Sequence, residues 1–228
     1  MDLKILFQPP TNLTGYNRLL PPTQQPSHIP QTFLDAMTIR ESVFVHEQKV
    51  PLSLEADSDD SRSCHWVAYL SSKPVGTVRI VPFPQDLHPL PGSSWDLPED
   101  DSGEPVLEVV EKGFKVDRAT SLHDGREAYV KFGRWAVVKE ARGMGISIKL
   151  IEAAEEWLRQ NPRFFDVDVE GVSRNQSHWN GLMCAHAQKY VAGAWQRMGF
   201  VIDEIMSEWS EADIPHVGVW KRLKLEEA

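Results

Sequence analysis

The strongest constraint on the fold lies at residues 141–147, where ARGMGIS separates a strand-like run from an amphipathic helix. Upstream, AYVKFGRWAVV (128–138) is rich in the β-branched and aromatic residues that suit a strand. Downstream, ISIKLIEAAEEWL (146–158) puts Ser147, Leu150, Ile151, Ala154, Trp157 and Leu158 on one helical face. Gly143 and Gly145 allow close backbone approach, so successive N–H groups at the helix start can point at one anion with the help of the helix dipole. That order, strand then glycine loop then helix, describes a pyrophosphate cradle, although a glycine turn entering an ordinary helix has the same local pattern. No second glycine follows three residues after Gly145, as a dinucleotide fingerprint would need, and no Lys-Ser or Lys-Thr follows as in a P-loop.

Around this loop the pattern predicts alternating elements. Residues 1–30 read as an irregular N-terminal arm, because six prolines lie between positions 8 and 30, and residues 31–228 read as one domain. Phe33, Leu34, Met37, Val43 and Phe44 predict a helix over 31–45, followed by an acidic loop. HWVAYL (65–70) and VGTVRIVPF (75–83) predict a β-hairpin. The Pro-, Gly- and Asp-rich segment 84–127, with PVLEVV inside it, reads as a long loop of the kind that covers active sites. GLMCAHA (181–187) reads as a strand, QKYVAGAWQRM (188–198) as a helix stopped at Gly199, and 200–208 and 216–222 as two further strands.

Composition narrows the function. With 228 residues, 41% of them hydrophobic, the chain can bury a substantial core. The two cysteines, Cys64 and Cys184, lack metal-type spacing, which predicts no metal site and no disulfide framework. No run approaches the ~20 apolar residues that span a bilayer, and the N-terminus has no apolar signal core, so the expectation is a cytoplasmic protein without a membrane partner. A formal net charge of −9 disfavours nucleic acid and suits a cationic, amine-bearing small molecule.

ARGMGIS, directly after GRWAVV, resembles the acyl-CoA signature R/Q-x-x-G-x-G/A of the GNAT superfamily of N-acyltransferases. Only the last position departs, with Ser147 for Gly or Ala, and serine is small enough to keep the cradle while adding a hydroxyl. The resemblance implies a GNAT fold of the α/β (α+β) class: a mixed, mostly antiparallel sheet of six to seven strands flanked by helices, with a splayed central strand pair. It implies acetyl-CoA or coenzyme A as cofactor, with Arg142, Gly143, Met144, Gly145, Ile146 and Ser147 at the pyrophosphate and Trp135, Ala136 and Val137 along the pantetheine arm. AQKYVAGAWQRMGF (187–200) resembles the family's N-x-x-A-x-x-x-Y-x-x-x-G-F helix. Gln188 stands there for a cofactor-contacting Asn, and Trp195 for the tyrosine that protonates the departing thiolate. An indole N–H donates hydrogen bonds but does not serve as a proton source. IRESVFVHEQKVPLSLEADSDD (39–60) and WSEADIPHVGVW (209–220) are similar to segments of the ElaA-like branch.

Transfer of an acyl group from a thioester to an amine needs a base for the amine. His216 is the first candidate, with Glu211 and Asp213 as acidic neighbours able to orient its ring or hold a substrate ammonium; His186 ranks below it as a core residue. Arg40 with Glu47 and Gln48 forms either an ion-pair cluster tying the first helix to the sheet or a substrate wall. Glu55 and Asp57, with Asp59 and Asp60, either draw in a cationic acceptor or form a solvated loop, and Trp195 completes the substrate-side residues as a packing wall. The expected reaction is direct attack of a small polar amine on acetyl-CoA in a ternary complex. A non-catalytic acyl-CoA sensor and an acyl-homoserine-lactone-synthase-like enzyme are the alternatives, and a homodimer through strand edges is open to the fold.

Overall fold

A computed structural model describes residues 2–95, 114–166 and 178–225. The expected PVLEVV run lies outside these residues. The chain divides into two compact units, each built from separated stretches of sequence.

In the first unit, residues 2–81 combine with 133–154. Its strands are β1 (Leu3–Gln8), β2 (Cys64–Leu70), β3 (Lys73–Val81) and the later part of β5 (Val130–Val137), in the order β1-β2-β3-β5. The β2–β3 hairpin is as expected, turning at Ser71 and Ser72, both at positive φ as a tight two-residue turn requires. The N-terminal arm differs from expectation. LKILFQ pairs antiparallel with β2 along six residues, with Phe7 packed on Trp66 at 5.0 Å; the prolines begin at Pro9, where they end the strand. Leu13, Tyr16 and Ile29 are then buried with Phe33, Leu34, Met37 and Ala56, so residue 30 marks no boundary in this unit.

The predicted helix over 31–45 is real but changes pitch. Helix α1 (Gln31–Arg40) passes into a π-helical segment, Glu41–Glu47, in which the Gln48 amide bonds back to the Val43 carbonyl. Helix α2 (Ile146–Gln160) follows the glycine loop and buries Ile146, Leu150, Ile151 and Ala154. Close packing explains Gly76 on β3: a Cβ there would lie 3.0 Å from Leu150 Cδ1 and 3.2 Å from the Ala136 carbonyl oxygen.

The second unit takes residues 82–95, 114–132, 155–166 and 178–225. The start of β5 runs parallel to β6 (Leu182–Gln188), β6 pairs antiparallel with β9 (Ile214–Arg222), and β9 pairs with β8 (Glu208–Glu211). Two-residue strands β4 (Ser94–Trp95) and β7 (Val201–Ile202) join β8 and β9 respectively. The parallel ladder ends at Phe132 and Ala185, although β5 continues to Val137 and β6 to Gln188. The single strand expected over 200–208 is instead two, because the buried Asp203 carboxylate accepts the amides of Ile205 and Met206 at 3.0 Å and turns the chain between them. Beyond the expected six or seven strands, β1, β4 and this division raise the total to nine among the described residues. The helix expected over 188–198 is shorter, a 3₁₀ turn at Lys189–Val191 followed by α3 (Ala192–Arg197).

Candidate active site

In the first unit the glycine loop has the backbone that anion binding needs. Gly143 and Gly145 stand at φ +77° and +74°, and a Cβ at either would meet no protein atom within 4 Å. The loop is exposed, and the first N–H groups of α2 have no intrahelical partners. Positive-φ glycines ahead of a 15-residue amphipathic helix thus leave the backbone at its start open, an arrangement that fits a pyrophosphate. Trp135 Nε1 donates to the Ser147 carbonyl oxygen at 3.0 Å and fixes β5 to the loop. Arg142 donates through Nε to the Val137 carbonyl oxygen at 2.9 Å and forms a bidentate pair with Glu47, both oxygens at 2.7 Å. That hydrogen bond holds the Glu47 carboxyl below its ordinary pKa.

The same unit buries an ion network. Arg40, with no exposed surface, pairs with Glu55 at 2.5 Å and with Asp60 at 2.7 Å; Arg79 pairs with Asp57 at 2.6 Å and Asp60 at 2.7 Å. Arg134 reaches Asp57 at 3.0 Å and the Leu54 carbonyl at 3.1 Å. Burial alone would raise the Asp60 carboxyl, but the Arg40 and Arg79 guanidinium groups hold it well below the usual carboxylate range. Two expectations are corrected here. Arg40 pairs with Glu55 and Asp60 rather than with Glu47 and Gln48, because α1 points it inward, whereas Glu47 belongs to Arg142. Arg40 and Glu55, 0% and 2% exposed and held within this network, face the interior instead of a substrate; Asp57 keeps a third of its side chain exposed.

In the second unit the structure brings together Glu211, His216 and His186. The His216 Nδ1 lies 2.8 Å from the Ile214 carbonyl oxygen, which makes Nδ1–H the donor and leaves a lone pair on Nε2, 4.0 Å from Glu211 Oε2. The other oxygen, Oε1, accepts Trp209 Nε1–H at 2.7 Å and lies 3.5 Å from His186 Nδ1. Burial would raise the Glu211 carboxyl, but the hydrogen bonds of His186 and Trp209 pull it far below its ordinary value. Burial pushes His186 down to about 4, so it is neutral near pH 7. Asp213 is an exposed residue at φ +60° in the β8–β9 turn.

Gln188 ends β6 opposite His216, and its side-chain oxygen accepts the Tyr190 hydroxyl. Trp195 is 3% exposed, packing on Phe200 at 4.8 Å and Phe132 at 6.1 Å, which corrects its expected place beside substrate: it is a core ring. Sequence reasoning missed Arg134, whose φ of +49° is unusual for a side-chain-bearing residue inside a strand, and it missed His88, which contacts His186. Neither carries a local pattern that spacing could reveal. Among the described residues no three His, Cys, Asp or Glu side chains converge to hold a metal ion, and no helix is long and apolar enough to cross a membrane.

Comparison with known proteins agrees with this geometry. The acetyltransferase (GNAT) family model matches residues 31–176, more than half of the chain, and the chain belongs to that family. It is therefore a transferase of a family that draws acyl groups from acyl-CoA. Similar solved structures include a candidate N-acetyltransferase from Lactobacillus plantarum, at 20% identity over 97% of this chain and 99% of that one, with a TM-score of 0.56. An acyl-CoA N-acyltransferase from Pseudomonas aeruginosa is 18% identical over 96% and 99%, with a TM-score of 0.53. Escherichia coli ElaA is 16% identical over 97% and 100%, also with a TM-score of 0.53. At these identities the likeness is one of fold.

Proposed function

We propose that this chain transfers an acetyl group from acetyl-CoA to the primary amine of a small polar acceptor, such as an amino sugar, a polyamine or an amino-acid derivative. The observation that carries the reading is the loop 142–147, with its two positive-φ glycines open to an anion at the start of α2. When bound, acetyl-CoA supplies the activated acyl group. Backbone amides of Gly143, Met144, Gly145, Ile146 and Ser147 hold the pyrophosphate, Arg142 adds a positive charge, and Trp135, Ala136 and Val137 flank the pantetheine arm. His216 Nε2, with its lone pair free, takes a proton from the acceptor ammonium, and the Glu211 carboxylate stabilises the imidazolium that results. The net charge of −9 favours a cationic acceptor.

The test is thiol release from acetyl-CoA with glucosamine, spermidine, free amino acids and a lysine peptide. Release with one amine class supports the reading and names the acceptor class. Coenzyme A binding without release on any amine would favour a non-catalytic acyl-CoA-binding protein.

A further inference from the structure

Behind Glu211 the second unit holds a row of buried histidines that the proposed reaction does not yet use. His186 Nε2 lies 3.4 Å from His88 Nδ1. The His88 ring has no exposed side-chain surface; it stacks on Tyr129 at 5.6 Å and meets Trp220 and His123 edge-on at 5.4 and 5.8 Å. Its backbone is pinned as well, since Asp117 Oδ2 accepts the His88 amide at 2.7 Å. Among the described residues the buried His88 Nε2 has no hydrogen-bond partner, and Asp117 Oδ2 lies 3.8 Å from it.

This arrangement selects tautomers. An imidazole N–H buried without an acceptor costs more than a buried lone pair, because the donor loses its only bond to water. The Glu211 carboxylate, which can only accept, calls for the proton of His186 on Nδ1, 3.5 Å from Glu211 Oε1, so that the lone pair of His186 Nε2 faces His88 and the His88 proton stands on Nδ1. Both rings stay neutral: burial, with the positive charges of Lys131 and Arg118, depresses His88 far below an ordinary histidine, and burial with Lys131 outweighs Glu211 at His186.

We propose that His88 and His186 are positioning residues for the base: His88 donates Nδ1–H to His186, which fixes the His186 ring so that its Nδ1–H holds the Glu211 carboxylate opposite His216. The inference rests on the reading of His216 and Glu211 as the proton-accepting pair. It follows the general rule that a working carboxylate or imidazole is oriented by a further hydrogen-bonded shell. Without His88, His186 could carry its proton on Nε2, presenting a lone pair to Glu211 and displacing the carboxylate from His216.

The first test is ¹⁵N NMR of histidine-labelled protein near pH 7, which reads tautomers without any substrate. Nδ1–H signals for both His88 and His186 are expected; an Nε2–H tautomer at His186 overturns the proposal. The second test compares His88→Leu, of similar bulk but no donor, with His88→Gln, whose amide can donate to His186. Turnover should fall about tenfold or more in His88→Leu with an unchanged KM for acetyl-CoA and a displaced acid limb of the pH profile, and His88→Gln should recover most of it. Wild-type turnover and pH profile in a folded His88→Leu would overturn the proposal. Failure of the acyltransferase reading is distinct, because it appears as no thiol release from the wild type, whereas the tautomers are read regardless.

Discussion

Arg134 Nη2 lies 3.0 Å from Asp57 Oδ2, joining a left-handed residue inside β5 to the acidic loop ahead of β2. The contact explains how a side-chain-bearing residue persists at φ +49°: the guanidinium, only 27% exposed, also reaches the Leu54 carbonyl and so over-determines the backbone. It also falls just past Phe132, where the ladder to β6 ends. The left-handed residue thus follows directly on the end of that ladder and is held there by an ion pair.

Two substitutions separate strain from ion pairing at this position. Arg134→Ala loses the pair and keeps the strained φ, while Arg134→Gly loses the pair but relaxes the backbone by about 1 kcal/mol. Urea denaturation should rank the wild type above Arg134→Gly, and Arg134→Gly above Arg134→Ala. An alanine variant as stable as the glycine variant would mean that the left-handed conformation is not a strained one.

The buried ion network makes the first unit acid-sensitive. Because the folded Asp60 carboxyl lies below its unfolded value of about 3.9, its contribution is complete above that pH and is lost as pH falls toward the folded value. Thermal midpoints should therefore drop steeply below about pH 4. Asp60→Asn, which leaves Arg40 and Arg79 facing a neutral amide, should cost about 3–5 kcal/mol at neutral pH and flatten the acid limb. Equal acid sensitivity in wild type and variant would locate the titrating groups elsewhere.

Glu47 occupies the side chain of the loop arginine without being buried itself. An exposed pair of this kind contributes little to folding, yet its carboxylate stands close to where phosphates are proposed to bind. Glu47→Gln should tighten coenzyme A binding several-fold at low ionic strength, and the gain should fade in high salt. Weaker binding in the variant would show that Glu47 serves by holding Arg142 in place.

His216→Ala should lower turnover by a factor on the order of 10² or more while leaving the KM for acetyl-CoA unchanged. The loss of rate on the acid side of the pH profile should disappear with it, since the base must be unprotonated to act. A variant whose profile keeps its acid limb would make His216 a structural residue.

Much of this arrangement was legible in the sequence because it is local. The strand, glycine loop and helix around residues 128–158 are set by spacing and by two glycines, and the Ser71–Ser72 hairpin by strand propensity on either side of a short turn. What stayed hidden was set by distance. β1 was obscured by the prolines after it, and the 200–208 run was divided by Asp203, whose carboxylate gathers amides from Ser121 and Leu122 as well as from its own turn. The partners of Arg40 lie 15 and 20 residues away, beyond the reach of any pattern within its own helix. His88 stands 98 residues from His186, and no periodicity connects them.

Whether residues 142–147 hold the cofactor's pyrophosphate is read by calorimetric titration of coenzyme A into the wild type and Arg142→Glu. Saturable binding to the wild type is expected, with none to Arg142→Glu, where a carboxylate would stand beside the phosphates while thermal unfolding stays close to that of the wild type. Equal affinity in the two proteins would place the cofactor somewhere other than this loop.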